Sequence, residues 1–185
     1  MKPLLMSLLW CACWSTSMAE ATEPLRVEAP FRLEELAFVK LPGTATVTGE
    51  SGIQLGDGTF KDCAGFNVEL LPVTPYSRER IFKTYGNADR GQILLEQNPP
   101  RFTPDVREYH EWLLKGSCDA RGRFRFEKVP AGDYFVMVFI IWEEPSDGGP
   151  RKSGGAVMQR IHVEPGAQVS LVLDSREQLP QAGAR

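Results

Sequence analysis

A mainly β fold, an antiparallel β-sandwich of about seven strands with a partly helical insertion over residues 76–116, is what this chain predicts. Three observations point to it. Phe124 and Phe126 alternate with charged residues ahead of a Pro130-Ala131-Gly132 turn, and a long β-rich run follows, which reads as a strand–turn–strand hairpin. That run is apolar on both faces. Tyr134, Val136, Val138, Ile140 and Trp142 point one way, and Phe135, Met137, Phe139 and Ile141 the other, so both sides must be covered. Finally, short alternating segments bounded by Gly, Pro and Asp recur on either side of a middle stretch with helical spacing.

The elements follow in order. Residues 20–42 form a lead-in with two prolines and a short amphipathic piece, 33–39, that suits either a short helix or an edge strand. After Pro42-Gly43 the sandwich domain, 43–173, begins with the alternation Thr44 to Gly49. Gly56-Asp57-Gly58 marks a hairpin tip. Phe66, Val68 and Leu70 alternate with Asn67 and Glu69 in a half-buried strand ending at Pro72. In the insertion, Ser77 is placed to cap a helix through Tyr85 with Gly86 beyond it, and Tyr76 and Ile81 suit a hydrophobic staple. A polar, turn-rich stretch covers 86–101. A second helix is marked by Thr103 as cap and Pro104 at its first position, and Val106, Tyr109, His110, Leu113 and Leu114 form its apolar stripe. That stripe is expected to cover the outer face of the long strand, the alternative being a partner protein seated there. Residues 143–155 read as a flexible hairpin loop. Strands at 158–163 and 169–173 form the last pair through Pro165-Gly166, and the polar tail, 174–185, reads as disordered.

The first 19 residues read as a signal peptide: Lys2, an apolar run from Leu4 to Trp14, and small residues before a cleavage point after Ala19. At about 11 residues that run is too short for a transmembrane helix, which needs roughly 20. The chain is therefore expected in the periplasm or secreted. The bulky Trp10 argues against lipid attachment at Cys13. Without residues 1–19 the chain carries 20 basic and 24 acidic side chains and no basic cluster, which argues against nucleic acid and anionic membrane surfaces. Cys63 and Cys118 remain, and in an oxidising compartment an isolated pair is most simply a disulfide.

One run of residues resembles a known family. Asp119-Ala120 with Gly122, Phe124 and Phe126, followed by Val129-Pro130-Ala131-Gly132-Asp133-Tyr134, is similar to the carboxypeptidase regulatory-like domain, a transthyretin-like (prealbumin-like) sandwich of exported proteins. The resemblance spans residues 43–173 apart from the insertion. It implies a module that accompanies peptidases, binds or assembles, and it does not choose among these. The Tyr-Arg-Gly-Ser ending of transthyretin-like hydroxyisourate hydrolases is absent, and His110 and His162 are too far apart for the histidine pair of intradiol dioxygenases.

No catalytic, cofactor-binding or metal-binding constellation emerges from the residues themselves. His110 suits the boundary of an apolar stripe and His162 a solvated strand face, while a zinc site needs three or four converging ligands. Ser117 and Ser153 lack a nucleophile elbow, the Gly148-Gly149 and Gly154-Gly155 pairs lack the helix of a phosphate loop, and neighbouring Glu143 and Glu144 face opposite ways on a strand. What remains is aromatic surface. Tyr109, Trp112 and Trp142, with Tyr76 and Tyr85 nearby, are candidates to bind a partner in the cell envelope, a protein or a glycan. Two readings stay beside it: a transthyretin-like enzyme with a site in the insertion, and a lipid-anchored assembly factor.

Overall fold

The structure, a computed structural model, describes residues 23–174. The expected signal peptide, Cys13 and the tail beyond Asp174 lie outside the described residues. Two sheets pack face to face. The strands are β1 (Ala45–Gln54), β2 (Phe60–Asp62), β3 (Asn67–Pro72), β4 (Arg90–Leu94), β5 (Leu114–Ser117), β6 (Arg123–Val129), β7 (Gly132–Glu144), β8 (Arg151–Val163) and β9 (Gln168–Asp174), with one helix, α1 (Pro75–Tyr85), after β3. The larger sheet has the order β4-β8-β7-β3-β5 and is antiparallel throughout. In the smaller sheet β1 is flanked by β2 and β6 on one edge and by β9, in parallel, on the other; Gly52 meets both Asp62 and Asp174.

The double-faced strand is β7, third of five in its sheet. Tyr134, Val136, Val138 and Ile140 are buried between the sheets with Val47, Ile53, Val68, Leu70, Phe124 and Val157. Phe135 and Met137 face the other way, into a second core with Leu71, Tyr76, Ile81, Tyr109, Leu113 and Met158. The insertion covers this outer face, as the apolar pattern requires, but through different elements from those expected. α1 forms with Thr74 as its cap: the Thr74 hydroxyl accepts from the Ser77 amide at 3.1 Å, and the Ser77 hydroxyl accepts from the Thr74 amide at 2.8 Å. Ser77 is thus the third helical residue, and Tyr76 and Ile81 serve the second core instead of a staple. The second helix does not form. Residues Arg107–His110 make a single 3-10 turn and the chain then runs extended as β5. Leu113 packs in the second core while Leu114 packs toward the first. Only an extended chain sends neighbours to opposite faces, so pairing with β3 overrides the helical spacing.

Other connections also differ from the sequence reading. β6 and β7 do not form a hairpin: β6 pairs with β1 and β7 with β3 and β8, so Pro130-Ala131 is a corner between sheets. The Tyr134 hydroxyl donates to the Pro130 carbonyl at 2.9 Å and fixes that corner. β9 likewise leaves β8 to join β1 in the other sheet. The polar stretch 86–101 contains β4, an edge strand whose mixed exposure hides any alternation. The expected loop 143–155 narrows to a turn at 145–150, because β7 and β8 pair as far as Glu144 and Arg151. Of the two alternatives at 33–39 the short helix forms, as two consecutive 3-10 pieces, Leu33–Glu35 and Ala37–Lys40, with Leu36 and Val39 buried. Cys63 and Cys118 form a disulfide across 55 residues, beside the bridge Ala64–Cys118.

Candidate functional site

β3 sends Val68 and Leu70 inward, so Asn67 and Glu69 lie on the outer face of the larger sheet, opposite Phe139 and Met137 of β7. α1 and the segment 100–113 stand over this face without filling it. Between them is a cavity of about 550 Å³, within the range of small-ligand sites. Glu69, Asn67, Met137, Phe139 and Ile141 form its floor. Arg80, Ile81, Thr84 and Tyr85 come from α1, and Pro100, Phe102, Tyr109 and His110 close it from the loop.

The polar groups of this cavity divide into two sets. Arg80 is bound on every side. Its guanidinium is stacked 4.3 Å from Phe102 and 4.4 Å from Tyr109, its Nη1 donates to Asp105 Oδ1 at 2.7 Å, and the same nitrogen lies 3.4 Å from the Tyr76 hydroxyl. His110 Nε2 lies 2.9 Å from the same Asp105 oxygen. Burial pushes the Asp105 carboxyl up, but the hydrogen bonds from His110 and Arg80 outweigh it and hold the group below its ordinary range. The second set has no such partners. Among the described residues no side chain bonds to the Glu69 carboxylate, and Lys115 and His110 act on it only through space. Burial therefore dominates and pushes Glu69 up. The hydroxyls of Tyr85 and Tyr109 also lack a hydrogen-bond partner among the described residues, and burial raises both. Tyr76 and Tyr134 do have theirs.

Of the three aromatic residues singled out from sequence, only Tyr109 lines this cavity, and it is buried. Trp112 packs against the inter-sheet core, with Lys40 Nζ 5.6 Å over its ring. Trp142 packs against the inter-sheet core on the other face of the larger sheet, between Gly154 and Lys61, whose Nζ is 4.8 Å from the ring centre. A hollow of about 610 Å³ adjoins Trp142, but its Glu144 is already bonded to Arg151 at 2.7 Å and to the Ser153 hydroxyl. His162 sits on an exposed face of β8, 3.0 Å from Asp133. Among the described residues no group of three or more His, Cys, Asp and Glu is arranged to hold a metal ion, and no helix is long and apolar enough to cross a membrane.

Glu69, Arg80, Phe102 and Phe139 were missing from the sequence-based candidates. Glu69 looks like any polar residue of a half-exposed strand. Its signal is relational: it is registered against Met137 on the apolar outer face of β7, and the pairing of β3 with β7 is not written in either segment.

The fold and this cavity define a β-sandwich with a ligand-sized, aromatic-walled recess built by its insertion and outer sheet face. No family model matches the chain, and no curated protein matches it. Among solved structures it is similar to one described as a "putative carbohydrate binding protein" from Pseudomonas aeruginosa. The TM-score is 0.62 and the sequence identity 22%, over 79% of this chain and 98% of that one. At that identity the likeness establishes a shared fold.

Proposed function

We propose that this chain is a non-enzymatic, exported binding module whose ligand is a glycan, held in the cavity over Glu69. The observation that carries the reading is the combination of ring walls with unpartnered polar groups: Phe102, Tyr109 and Phe139 beside Glu69 and the free hydroxyls of Tyr85 and Tyr109. Sugars present apolar ring faces that pack on aromatics and hydroxyls that bond to just such groups, and a small number of placed polar groups in an apolar recess is how such sites gain specificity. The glycan description given to the structurally similar Pseudomonas protein supports the same direction. Export rests on the apolar leader and fits the disulfide. The carboxypeptidase regulatory-like resemblance remains compatible, since that group includes non-catalytic modules. A hydrolytic reading is weaker: of the two carboxylates near the cavity, Asp105 is committed to Arg80 and His110.

The test is calorimetric titration of the purified protein with tetrasaccharides of glucose and N-acetylglucosamine in β-linkage. Binding in the micromolar to millimolar range is expected with at least one of them. Phe139→Ala should weaken it by tenfold or more, and Trp142→Ala should leave it unchanged. A glycan that binds equally to Phe139→Ala would place the site elsewhere, and absence of heat with both sugars at millimolar concentration would overturn the reading.

A further inference from the structure

We infer that the cavity selects a sugar bearing a free, protonated amino group, with the ammonium seated on Glu69; the inference rests on the glycan reading above and narrows its ligand class to amino sugars. The argument is an inventory of donors and acceptors. Arg80, the buried cation of the wall, has its charge met by Asp105 and its faces covered by Phe102 and Tyr109. The groups left open to a ligand are Glu69, which while ionised only accepts, and the Asn67 amide and two phenol hydroxyls, which can accept as well as donate. A ligand that matches them brings donors.

A neutral hydroxyl could serve, but an ammonium gains more. Glu69 is partly withdrawn from water, where attraction between opposite charges is stronger than in solvent, and the carboxylate has no bonded counter-charge of its own. Lys115 faces it from β5, His110 from the 3-10 turn, and Arg80, Tyr85 and Tyr109 line the same recess, yet none is bonded to it. Phe102 and Tyr109 already face Arg80, which leaves Tyr85 and Phe139 of the aromatic lining to the ligand, and aromatic faces carry negative potential that favours a cation over a neutral donor. Carboxylate and rings together make a recess suited to one compact positive charge attached to a body that packs on apolar walls.

The probe pair is the β-linked tetramer of glucosamine and the same tetramer N-acetylated, titrated at about pH 6, below the range in which α-amines lose their proton. The glucosamine tetramer is expected to bind about tenfold more tightly. Glu69→Gln, which keeps the shape and removes the charge, should abolish that preference, and Tyr85→Phe should weaken the glucosamine tetramer several-fold; thermal melts confirm that both variants fold. Equal affinity for the two tetramers would overturn the ammonium site while leaving glycan binding intact. A preference that persists in Glu69→Gln would also overturn it, since the charge would then be read elsewhere on an acidic surface. If neither tetramer nor the glucose oligomer binds, the glycan reading itself falls.

Discussion

Glu79 shows how much one half-buried residue can organise. Its carboxylate accepts from the amides of Glu28 and Ala29 at 2.9 and 2.8 Å and pairs with Lys83 at 2.8 Å, so a single side chain of α1 holds the lead-in across the outer sheet face. Lys83 adds a bond to the Arg26 carbonyl, and Phe31 meets Tyr76 edge-on at 5.3 Å between ring centres. The backbone hydrogen bond from Glu28, then Lys83 and Ala29, pulls the Glu79 carboxyl down from its ordinary 4.5 to about 2. The folded-state value is depressed, so the stabilisation is present above the unfolded value and is lost as pH falls from there toward 2. Glu79→Gln should therefore melt a few degrees below the wild type at neutral pH, a loss of about 1–2 kcal/mol. The gap should close between about pH 5 and pH 2 in melts followed by circular dichroism. A gap that stays constant with pH would mean the charge is not what matters.

At the scale of elements, β7 and β8 carry the larger sheet, and their far end depends on a glycine. Gly154 has φ +100°, and a Cβ there would stand 2.0 Å from the Ile140 carbonyl oxygen and 2.6 Å from the Trp142 ring. Gly58 at the β1–β2 turn also has a positive φ, +85°, but a Cβ would meet nothing within 4 Å. Alanine at Gly58 should cost about 1 kcal/mol from backbone strain alone. Alanine at Gly154 should cost roughly 2–3 kcal/mol, because the ladder to β7 must open as well. Urea unfolding of the two variants checks the ordering, and similar losses would show that the β7–β8 end yields easily. The elements also show where pattern reading ends. Alternation locates β3 and β6, each with a strongly apolar face at period two, and β7 shows as a long β-rich run apolar on both faces. It misses β4, whose residues are mostly half-exposed at an edge, and it mistakes residues 103–116 for a helix, because a four-residue 3-10 turn leading into a strand can imitate helical spacing over one turn.

Across the whole molecule, the disulfide is the longest-range covalent link, tying the end of β2 to the segment between β5 and β6. It lies in the inter-sheet core, where Cys63 is fully buried and Cys118 nearly so. Closing a loop of 55 residues restricts the unfolded chain, and replacing either cysteine with serine should cost about 3–4.5 kcal/mol. Guanidine unfolding of Cys118→Ser against the wild type, with and without reductant, measures it. Reductant should destabilise only the wild type and bring it close to the variant. Gly65 and Phe66 line the cavity and bond through their backbones to Cys118, so ligand affinity in the folded variant should fall along with stability.

Composition and local pattern were sufficient to determine a mainly β chain, a central strand greasy on both sides, the pairing of two cysteines and an outer sheet face that had to be covered, by the middle segment or by a partner. Each of these follows from short-range periodicity or from a count of residues, and both are properties of the chain before it folds. Which strands become neighbours was settled only in three dimensions: β6 and β7 part at Pro130, β9 turns aside to lie parallel to β1, and Glu69 comes to rest under Tyr85 and Tyr109. Pairing depends on burying whole faces against one another, a condition that no local window contains, and the recess exists because residues from β3, β7, α1 and the loop at 100–113 meet there without quite filling the space.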